Sequence, residues 1–368
     1  MNLTLTIFVI AFFIIFSFLE LYFEKSFWGA AIFLSILSII WISSRDASIV
    51  PDTNVYLRVY DSLRMSSISE YSQFSEGFEF FYVFLNFIGI LLKLDQTKFL
   101  GLIVAVNIII IMWALIRLER QKSEEQSLKM KIYPCFFLSC YFSYFGLFYN
   151  AISVRAGLAF SFVFLASTFF IAKKYKSAVI ICIIAVLFHS SALISILGVL
   201  VANKISIRRE GYKKWLLVIV LVWLGRVGYI FGEMINIFLA GILNKMPILN
   251  RYVGYLKNIT GSGFYSQKNL LFLIIGVSFF VAMYKTRQMS YYIQKYMNIC
   301  MIGLTLTFIL NVYPNGYRMS ETVTFFEFLL LYWIGSEKNR MTKFTKISIA
   351  IVLIVLSFVA ALNVTGVY

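Results

Sequence analysis

Residues 98–117 read KFLGLIVAVNIIIIMWALIR, and this stretch decides the fold of the chain. The residues between Lys98 and Arg117 carry no charge, and they do not alternate between apolar and polar as a half-buried strand does. A helix needs about 20 mostly apolar residues to cross a bilayer. Because only helices and closed barrels satisfy the backbone in hydrocarbon, the stretch is predicted to be a membrane helix.

Similar apolar runs recur along all 368 residues. The chain is 61% hydrophobic and only 14% charged, whereas a soluble domain carries roughly 25% charged residues. The sequence therefore predicts an all-α, polytopic transmembrane bundle of about 11–13 helices that forms one integral membrane domain over residues 1–368. The other runs lie at 3–23, 27–43, 78–93, 132–149, 154–172, 177–202, 215–231, 269–284, 296–312, 321–335 and 347–364.

The formal charge of +16 comes from bases in short loops between these runs. The positive-inside rule explains that pattern, so nucleic acid is not an expected partner. The more polar connections 44–77 and 232–268 are predicted to be extracytoplasmic loops over the active site. The four cysteines lie within apolar runs without metal-ligand spacing, and no nucleotide-binding loop is present. No metal and no cofactor are expected.

Two stretches do not fit simple alternation across the membrane. The run 177–202 joins two basic loops that both belong inside, and His189-Ser190-Ser191 lies at its middle. A pair of short helices that meet near His189 would resolve this, and broken helices occur where they are buried or line a wet cavity. The stretch 78–117 holds two runs, which together place the acid-rich segment 44–77 on the same side as the basic loop Lys122–Lys131. Either one of the two runs does not cross, which we favour, or the segment 44–77 is cytoplasmic.

Ionisable residues in or beside membrane segments are candidate functional groups. Arg155 opens the run that ends near Lys173, and its planar fork of N–H donors suits a phosphate or diphosphate. Its alternative role is an interfacial anchor. His189 is the only histidine. It is either a functional group, as a general base or as a hydrogen-bond donor to a phosphate, or a buried polar residue at a helix break.

The remaining candidates lie in the polar connections. Arg318 is a candidate phosphate ligand in a turn-rich segment, and Arg251 with Tyr252 and Tyr255 suits charge recognition and sugar stacking, with an interfacial aromatic belt as the alternative for the tyrosines. Two acids are also candidates. Asp52 is either a catalytic acid or the N-cap of a helix, and Glu79 is either a base or the partner of an arginine.

The order of these motifs resembles a known family. Arg45 precedes Asp52-Thr53 and Tyr56, Glu79 follows, and then come Asn150 with Arg155 and Leu158-Ala159, Phe188-His189-Ser190-Ser191-Ala192-Leu193, Arg251-Tyr252 with Tyr255, and Arg318. Over most of its length the chain resembles the EpsG-type, Wzy-like polysaccharide polymerases. One departure is that Ala156 follows the arginine where the family usually has glutamine, which puts in doubt any role of that glutamine.

The resemblance implies a bacterial plasma-membrane enzyme with a multi-helix glycosyltransferase fold of the GT-C-like kind and an extracytoplasmic active site. It implies transfer of a growing glycan from undecaprenyl diphosphate to a second lipid-linked repeat unit, with inversion, and a chain-length-regulating co-polymerase as a possible partner. In that reaction Arg155, Arg318 and Arg251 are expected to bind the diphosphate. His189, Glu79 and Asp52 are the expected catalytic groups, and Tyr252, Tyr255, Tyr56 and Asn150 are expected to contact sugars.

Three alternatives stay open from the sequence. An O-antigen ligase uses the same donor with a different acceptor. A flippase or transporter for the lipid-linked oligosaccharide is expected to spread charges along several helix interiors, whereas the candidate charges here gather near one face, with Arg226 as the exception. A non-catalytic scaffold does not account for so many polar residues near the bilayer.

Overall fold

The fold is described from a computed structural model. The structure describes residues 3–45, 51–65, 78–127, 129–207, 209–225, 227–230, 232–245, 271, 273–275, 277–278, 289–310, 317–337 and 342–365.

Within these ranges all the regular secondary structure is helical, as the apolar runs predict. The helices are α1 Leu3–Phe23, α2 Trp28–Ser43, α3 Pro51–Met65, α4 Phe80–Leu91, α5 Gln96–Gln126, α6 Pro134–Tyr141, α7 Leu147–Ala151, α8 Val154–Ile171, α9 Tyr175–Phe188, α10 Ala192–Lys204, α11 Arg209–Leu224, α12 Val227–Ile230, α13 Gly232–Asn244, α14 Tyr291–Leu310, α15 Tyr317–Thr324, α16 Glu327–Ser336 and α17 Lys343–Thr365. A π-helical turn, Phe142–Gly146, joins α6 to α7.

Five of the described helices are long and apolar enough to cross a membrane: α1, α5, α8, α14 and α17. The all-α polytopic bundle is therefore confirmed. Helix α4 has 12 residues, and such a helix measures about 18 Å against a hydrocarbon core of about 30 Å. This length supports the interpretation that one run in 78–117 does not cross.

The break predicted at His189 is confirmed. Helix α9 ends at Phe188, His189 has an extended backbone with φ −162° and ψ 125°, and α10 begins at Ala192. The connection 44–77, which is predicted to be an extracytoplasmic loop, contains α3. Thr53, Tyr56, Leu57 and Tyr60 are buried along one face of that helix. Their spacing of three and four residues is that of an amphipathic helix.

The chain divides into two compact units, of which the first comprises Met1–Ala192 and Thr342–Tyr368. At one end of this unit the turn between α1 and α2 is fixed to the start of α6 by the buried carboxylate of Glu20. It accepts hydrogen bonds from the backbone N–H of Phe27 (2.8 Å) and of Phe136 (2.9 Å). Beside it, Glu24 pairs with Lys131 at 3.0 Å and with Lys343 at 3.7 Å.

The interior of the first unit contains a buried polar network between α5, the end of α6, α7 and α8. The Asn107 amide donates to Tyr141 Oη (3.0 Å) and to Asn150 Oδ1 (2.9 Å), and Ser161 donates to Asn107. Buried polar groups that are hydrogen-bonded fix how their elements pack. The network therefore holds α7, which precedes the segment that carries Arg155, against α5 and α8.

The second unit comprises Leu193–Met341 and is described by itself. Lys295 of α14 donates to the carbonyl of Asn203 in the last turn of α10 (2.6 Å) and to the carbonyl of Ile205 just after it (3.0 Å). Gly303 of α14 faces α15 so closely that a Cβ there would lie 2.9 Å from the backbone nitrogen of Thr324. The unit is thus built around α14.

Candidate active site

Three residues that are far apart in sequence meet at one point of the first unit. Arg155 Nη1 donates to Glu79 Oε2 at 2.6 Å, and His189 Nδ1 lies 2.9 Å from Glu79 Oε1. The backbone N–H of Ser190 also donates to Oε1, at 3.3 Å. The three side chains are 14%, 16% and 19% exposed for Glu79, Arg155 and His189, so the cluster is partly shielded and still reachable. We refer to Glu79, Arg155 and His189 as the charged triad.

Each member of the triad lies at a helix end. Glu79 is the N-cap residue of α4, but its side chain makes no capping hydrogen bond to that helix. Arg155 is the second residue of α8, and His189 follows the last residue of α9. Backbone groups at helix ends lack intrahelical partners, so polar side chains concentrate there without disrupting the helix interiors.

A helix break presents Arg155. The N–H groups of Ile152 and Ser153 both donate to the carbonyl of Phe148, at 2.8 and 3.2 Å, and close α7 before α8 begins at Val154. Gly157 is required at this break, because a Cβ there would lie 2.6 Å from the carbonyl oxygen of Tyr149. The short, tightly packed connection sets the direction in which Arg155 leaves α8.

Three aromatic rings surround the Arg155 guanidinium. Its central carbon lies 4.5 Å from the ring centroid of Phe78, 5.3 Å from Tyr56 and 5.8 Å from Tyr82. The rings also pack on one another, with Tyr56 and Tyr82 centroids 5.6 Å apart and Phe78 and Tyr82 centroids 5.7 Å apart. Cation–π contacts stabilise a desolvated guanidinium. We call Tyr56, Phe78 and Tyr82 the aromatic wall.

The charge state of Glu79 follows from its surroundings. Glu79 precedes α4 and lies outside the helices that are long enough to cross a membrane. Burial raises its pKa, but hydrogen bonding and charge attraction by His189 and charge attraction by Arg155 outweigh burial, so that the pKa falls to about 2. A carboxylate with so low a pKa is a weak base. The contact of Glu79 with Arg155 agrees with the second of its two predicted roles, the partner of an arginine.

Asp52 and Asn150 lie in different environments. Helix α3 begins at Pro51, so Asp52 is in its first turn rather than at the expected N-cap, and its side chain is exposed. It lies one turn before Tyr56 of the aromatic wall. Asn150 is fully buried, donates to Tyr141 Oη and to the carbonyl of Gly146, and accepts from Asn107. Both the oxygen and the nitrogen of the Asn150 amide are therefore hydrogen-bonded within the interior network.

The side chains of the remaining candidates lie outside the described part of the structure. Arg318 is the second residue of α15 in the second unit, and only its backbone is among the described parts of the structure. Arg226, Arg251, Tyr252 and Tyr255 lie outside the described residues.

Sequence reasoning missed the Phe78 and Tyr82 rings of the aromatic wall. A signal for Tyr82 was present, because residues three apart on a helix share a face, and Tyr82 follows Glu79 by three. No such signal connected Tyr56 to Arg155, since the two lie on different helices. Their contact depends on the packing of α3.

The fold and the charged triad together define a multi-pass helical membrane protein with a partly buried carboxylate–arginine–histidine site. The EpsG family model matches residues 29–367, nearly the whole chain, and the chain therefore belongs to the EpsG family. This family supports a polysaccharide polymerase-type function in general terms. No curated protein and no solved structure matches the chain.

Proposed function

We propose that this protein lengthens a bacterial polysaccharide by transferring the growing glycan from undecaprenyl diphosphate to a hydroxyl of a second lipid-linked repeat unit. The observation that carries the proposal is the charged triad, in which one carboxylate holds both an arginine and the single histidine. An arginine suits the diphosphate of the donor, and a histidine suits the proton of the acceptor hydroxyl.

In this proposal Arg155 binds the diphosphate. A guanidinium carries five N–H donors, so Arg155 can contact Glu79 and a phosphate oxygen together. The start of α8, where Arg155 lies, and the start of α4, which Glu79 precedes, both add partial positive charge from their helix dipoles. Negative charge grows on the leaving diphosphate as the anomeric C–O bond breaks, and donors that are already in place stabilise it.

His189 acts as the general base. Its Nδ1 lies against Glu79, an arrangement that places the proton of the neutral ring on Nδ1 and the acceptor lone pair on Nε2. The acceptor oxygen forms a bond to the anomeric carbon as its proton passes to Nε2, and the bond to the diphosphate breaks. The ionised Glu79 stabilises the resulting imidazolium, as the carboxylate of a catalytic triad does. Attack opposite the leaving group inverts the anomeric centre.

The remaining predicted residues take supporting roles in the proposal. Tyr56 holds Arg155 through its ring, and Asn150 stabilises the interior network rather than binding a sugar. Asp52 is exposed on α3 and stays a proposed catalytic group. Arg318, Arg251, Tyr252 and Tyr255 stay proposed diphosphate and sugar ligands. No cofactor or metal is invoked, because the diphosphate is itself a good leaving group. A chain-length-regulating co-polymerase stays a proposed partner.

The test is a surface-glycan gel of a deletion strain complemented with each variant. We expect Arg155→Ala to lose every chain longer than one repeat, while the protein remains in the membrane at a normal level. The matched control is Arg117→Ala, which removes another half-buried arginine, stacked 3.4 Å from the ring of Phe169 on α8. This control should keep the long chains.

The outcomes separate the competing functions. Normal chain lengths in Arg155→Ala would contradict the role of Arg155. If the deletion strain accumulates full-length polymer on its lipid carrier, the protein is a ligase. If single-repeat attachment disappears in the deletion strain and no polymer accumulates on the lipid carrier, the protein moves the lipid-linked unit across the membrane.

A further inference from the structure

A buried hydroxyl joins the aromatic wall to the break that presents Arg155. Thr53 of α3 is fully buried, and its Oγ1 donates to the carbonyl of Ala151 at 2.8 Å. Arg45 Nη2 donates to Thr53 Oγ1 at 3.4 Å, and Arg45 Nη1 donates to the carbonyl of Ile42 at 2.8 Å. We call Arg45, Thr53 and the Ala151 carbonyl the Thr53 clamp.

The clamp joins three segments that are separate in sequence. Arg45 lies just beyond α2, Thr53 is on α3, and Ala151 is the last residue of α7. Arg45 is only 6% exposed, so the polar groups of the clamp are largely withdrawn from water. A buried group that loses its hydrogen-bond partner is destabilised by its desolvation, and the three segments are therefore held in one arrangement.

The clamp lies one helical turn from the aromatic wall. Thr53 and Tyr56 are three residues apart on α3 and share a face of that helix. Tyr56 contacts Arg155, and Ala151 precedes Arg155 by four residues. Helix α3 is thus attached to the Arg155 segment twice, once through the clamp and once through the Tyr56 ring. Without the hydroxyl, α3 would lose the first of these two attachments to the segment that carries Arg155.

We propose that Thr53 is a positioning residue, which fixes the guanidinium of Arg155 for the diphosphate without touching the substrate. This inference rests on the proposed function, because it takes Arg155 as the diphosphate ligand. It goes further by assigning a role to α3: the helix sets the affinity for the diphosphate through a hydroxyl that is fully buried.

The experiment measures binding of farnesyl diphosphate to the purified full-length protein by isothermal titration calorimetry. Thr53→Val keeps the shape of the side chain and removes the hydroxyl, and we expect it to weaken binding about fivefold, the effect of one net hydrogen bond. Thr53→Ser should recover most of the affinity. If Thr53→Val does not fold, Thr53→Cys, whose thiol is a weak donor, replaces it and should also bind more weakly than Thr53→Ser.

The matched control is Thr168→Val. Thr168 is a fully buried threonine on α8 whose hydroxyl donates to the carbonyl of Leu165 at 2.7 Å. It lies 13 residues from Arg155, which is about 20 Å along the helix. Its removal should leave the affinity for farnesyl diphosphate unchanged.

A double-mutant comparison distinguishes positioning from general support. If Thr53 acts through Arg155, adding Thr53→Val to Arg155→Lys should weaken binding by less than it does in the wild type. An equal loss in both backgrounds, or wild-type affinity in Thr53→Val, would overturn the inference. If Arg155→Ala itself binds as tightly as the wild type, the proposed diphosphate role of Arg155 fails instead.

Discussion

Glu79 joins the two functional groups of the site, because each of its carboxylate oxygens contacts a different partner. Arg155 lies on Oε2 and His189 on Oε1. Replacement of Glu79 therefore affects both the proposed diphosphate ligand and the proposed base. Its low pKa, about 2, keeps the carboxylate charged at physiological pH. In the proposed reaction it stabilises positive charge on both partners and does not itself accept the acceptor proton.

This charge state gives a pH-dependent stability. The pKa of Glu79 falls from 4.5 to about 2 in the folded protein, so its stabilising effect is complete above pH 4.5 and is lost as the pH falls towards 2. Melting temperatures of the purified wild type and Glu79→Gln should differ at pH 7, and the difference should shrink below pH 4.5. Glu210→Gln, which removes an acid 73% exposed, should show no such trend. A difference between wild type and Glu79→Gln that is constant with pH would contradict the assignment.

The sequence identified Glu79 and Arg155 individually because each stands where an apolar run starts, and His189 because it is a polar residue in the middle of the run 177–202. It also offered an arginine as one partner of Glu79, and the structure confirms that ion pair. The sequence could not show that Arg155 and His189 are the partners of Glu79, since they lie 76 and 110 residues away from it along the chain. The burial of Asn150 was equally out of reach, because its partners lie on other helices or across a π-helical turn.

At the scale of secondary structure, the breaks in helices determine where the site lies. Arg155 follows the break between α7 and α8, and His189 forms the break between α9 and α10. The second break was predictable, because one uninterrupted helix would place two basic loops on opposite sides of the membrane. The π-helical turn and the course of α3 were not, since both depend on tertiary packing rather than on local sequence.

The first break gives a prediction for Gly157. In Gly157→Ala the new Cβ would lie 2.6 Å from the backbone oxygen of Tyr149, so the backbone must shift. We expect a loss of about 1–3 kcal/mol of stability, as in other overpacked interiors, and shorter surface glycan. Gly29→Ala is the control, because its Cβ would meet nothing within 4 Å. Normal glycan length and stability in Gly157→Ala would contradict the role of this break in placing Arg155.

At the scale of the first unit, the charged triad and the basic turns occupy opposite ends of the helices. The segment from Pro134 to Ala151 covers about 27 Å. It begins three residues after Lys131, which pairs with Glu24, and ends at the carbonyl that Thr53 binds. With the basic turns inside, as the positive-inside rule requires, the triad is placed on the extracytoplasmic side in the proposal.

Cysteine labelling tests that orientation. In a variant with the four native cysteines replaced by alanine, a membrane-impermeant maleimide should label Asp52→Cys in intact cells. It should label Lys129→Cys only after the membrane is permeabilised. Both positions are exposed, so burial does not bias the comparison. The reverse pattern would place the triad in the cytoplasm and contradict the proposed side.

The central claim is that the charged triad transfers a glycan from a lipid diphosphate. The most direct measurement incubates the purified protein with an undecaprenyl-diphosphate-linked repeat unit, without nucleotide, and follows chain length and release of undecaprenyl diphosphate together. The wild type should release one lipid diphosphate for each repeat added, and Arg155→Ala and His189→Ala should do neither while Arg117→Ala does both. Chain growth at the wild-type rate in Arg155→Ala and His189→Ala would contradict the account.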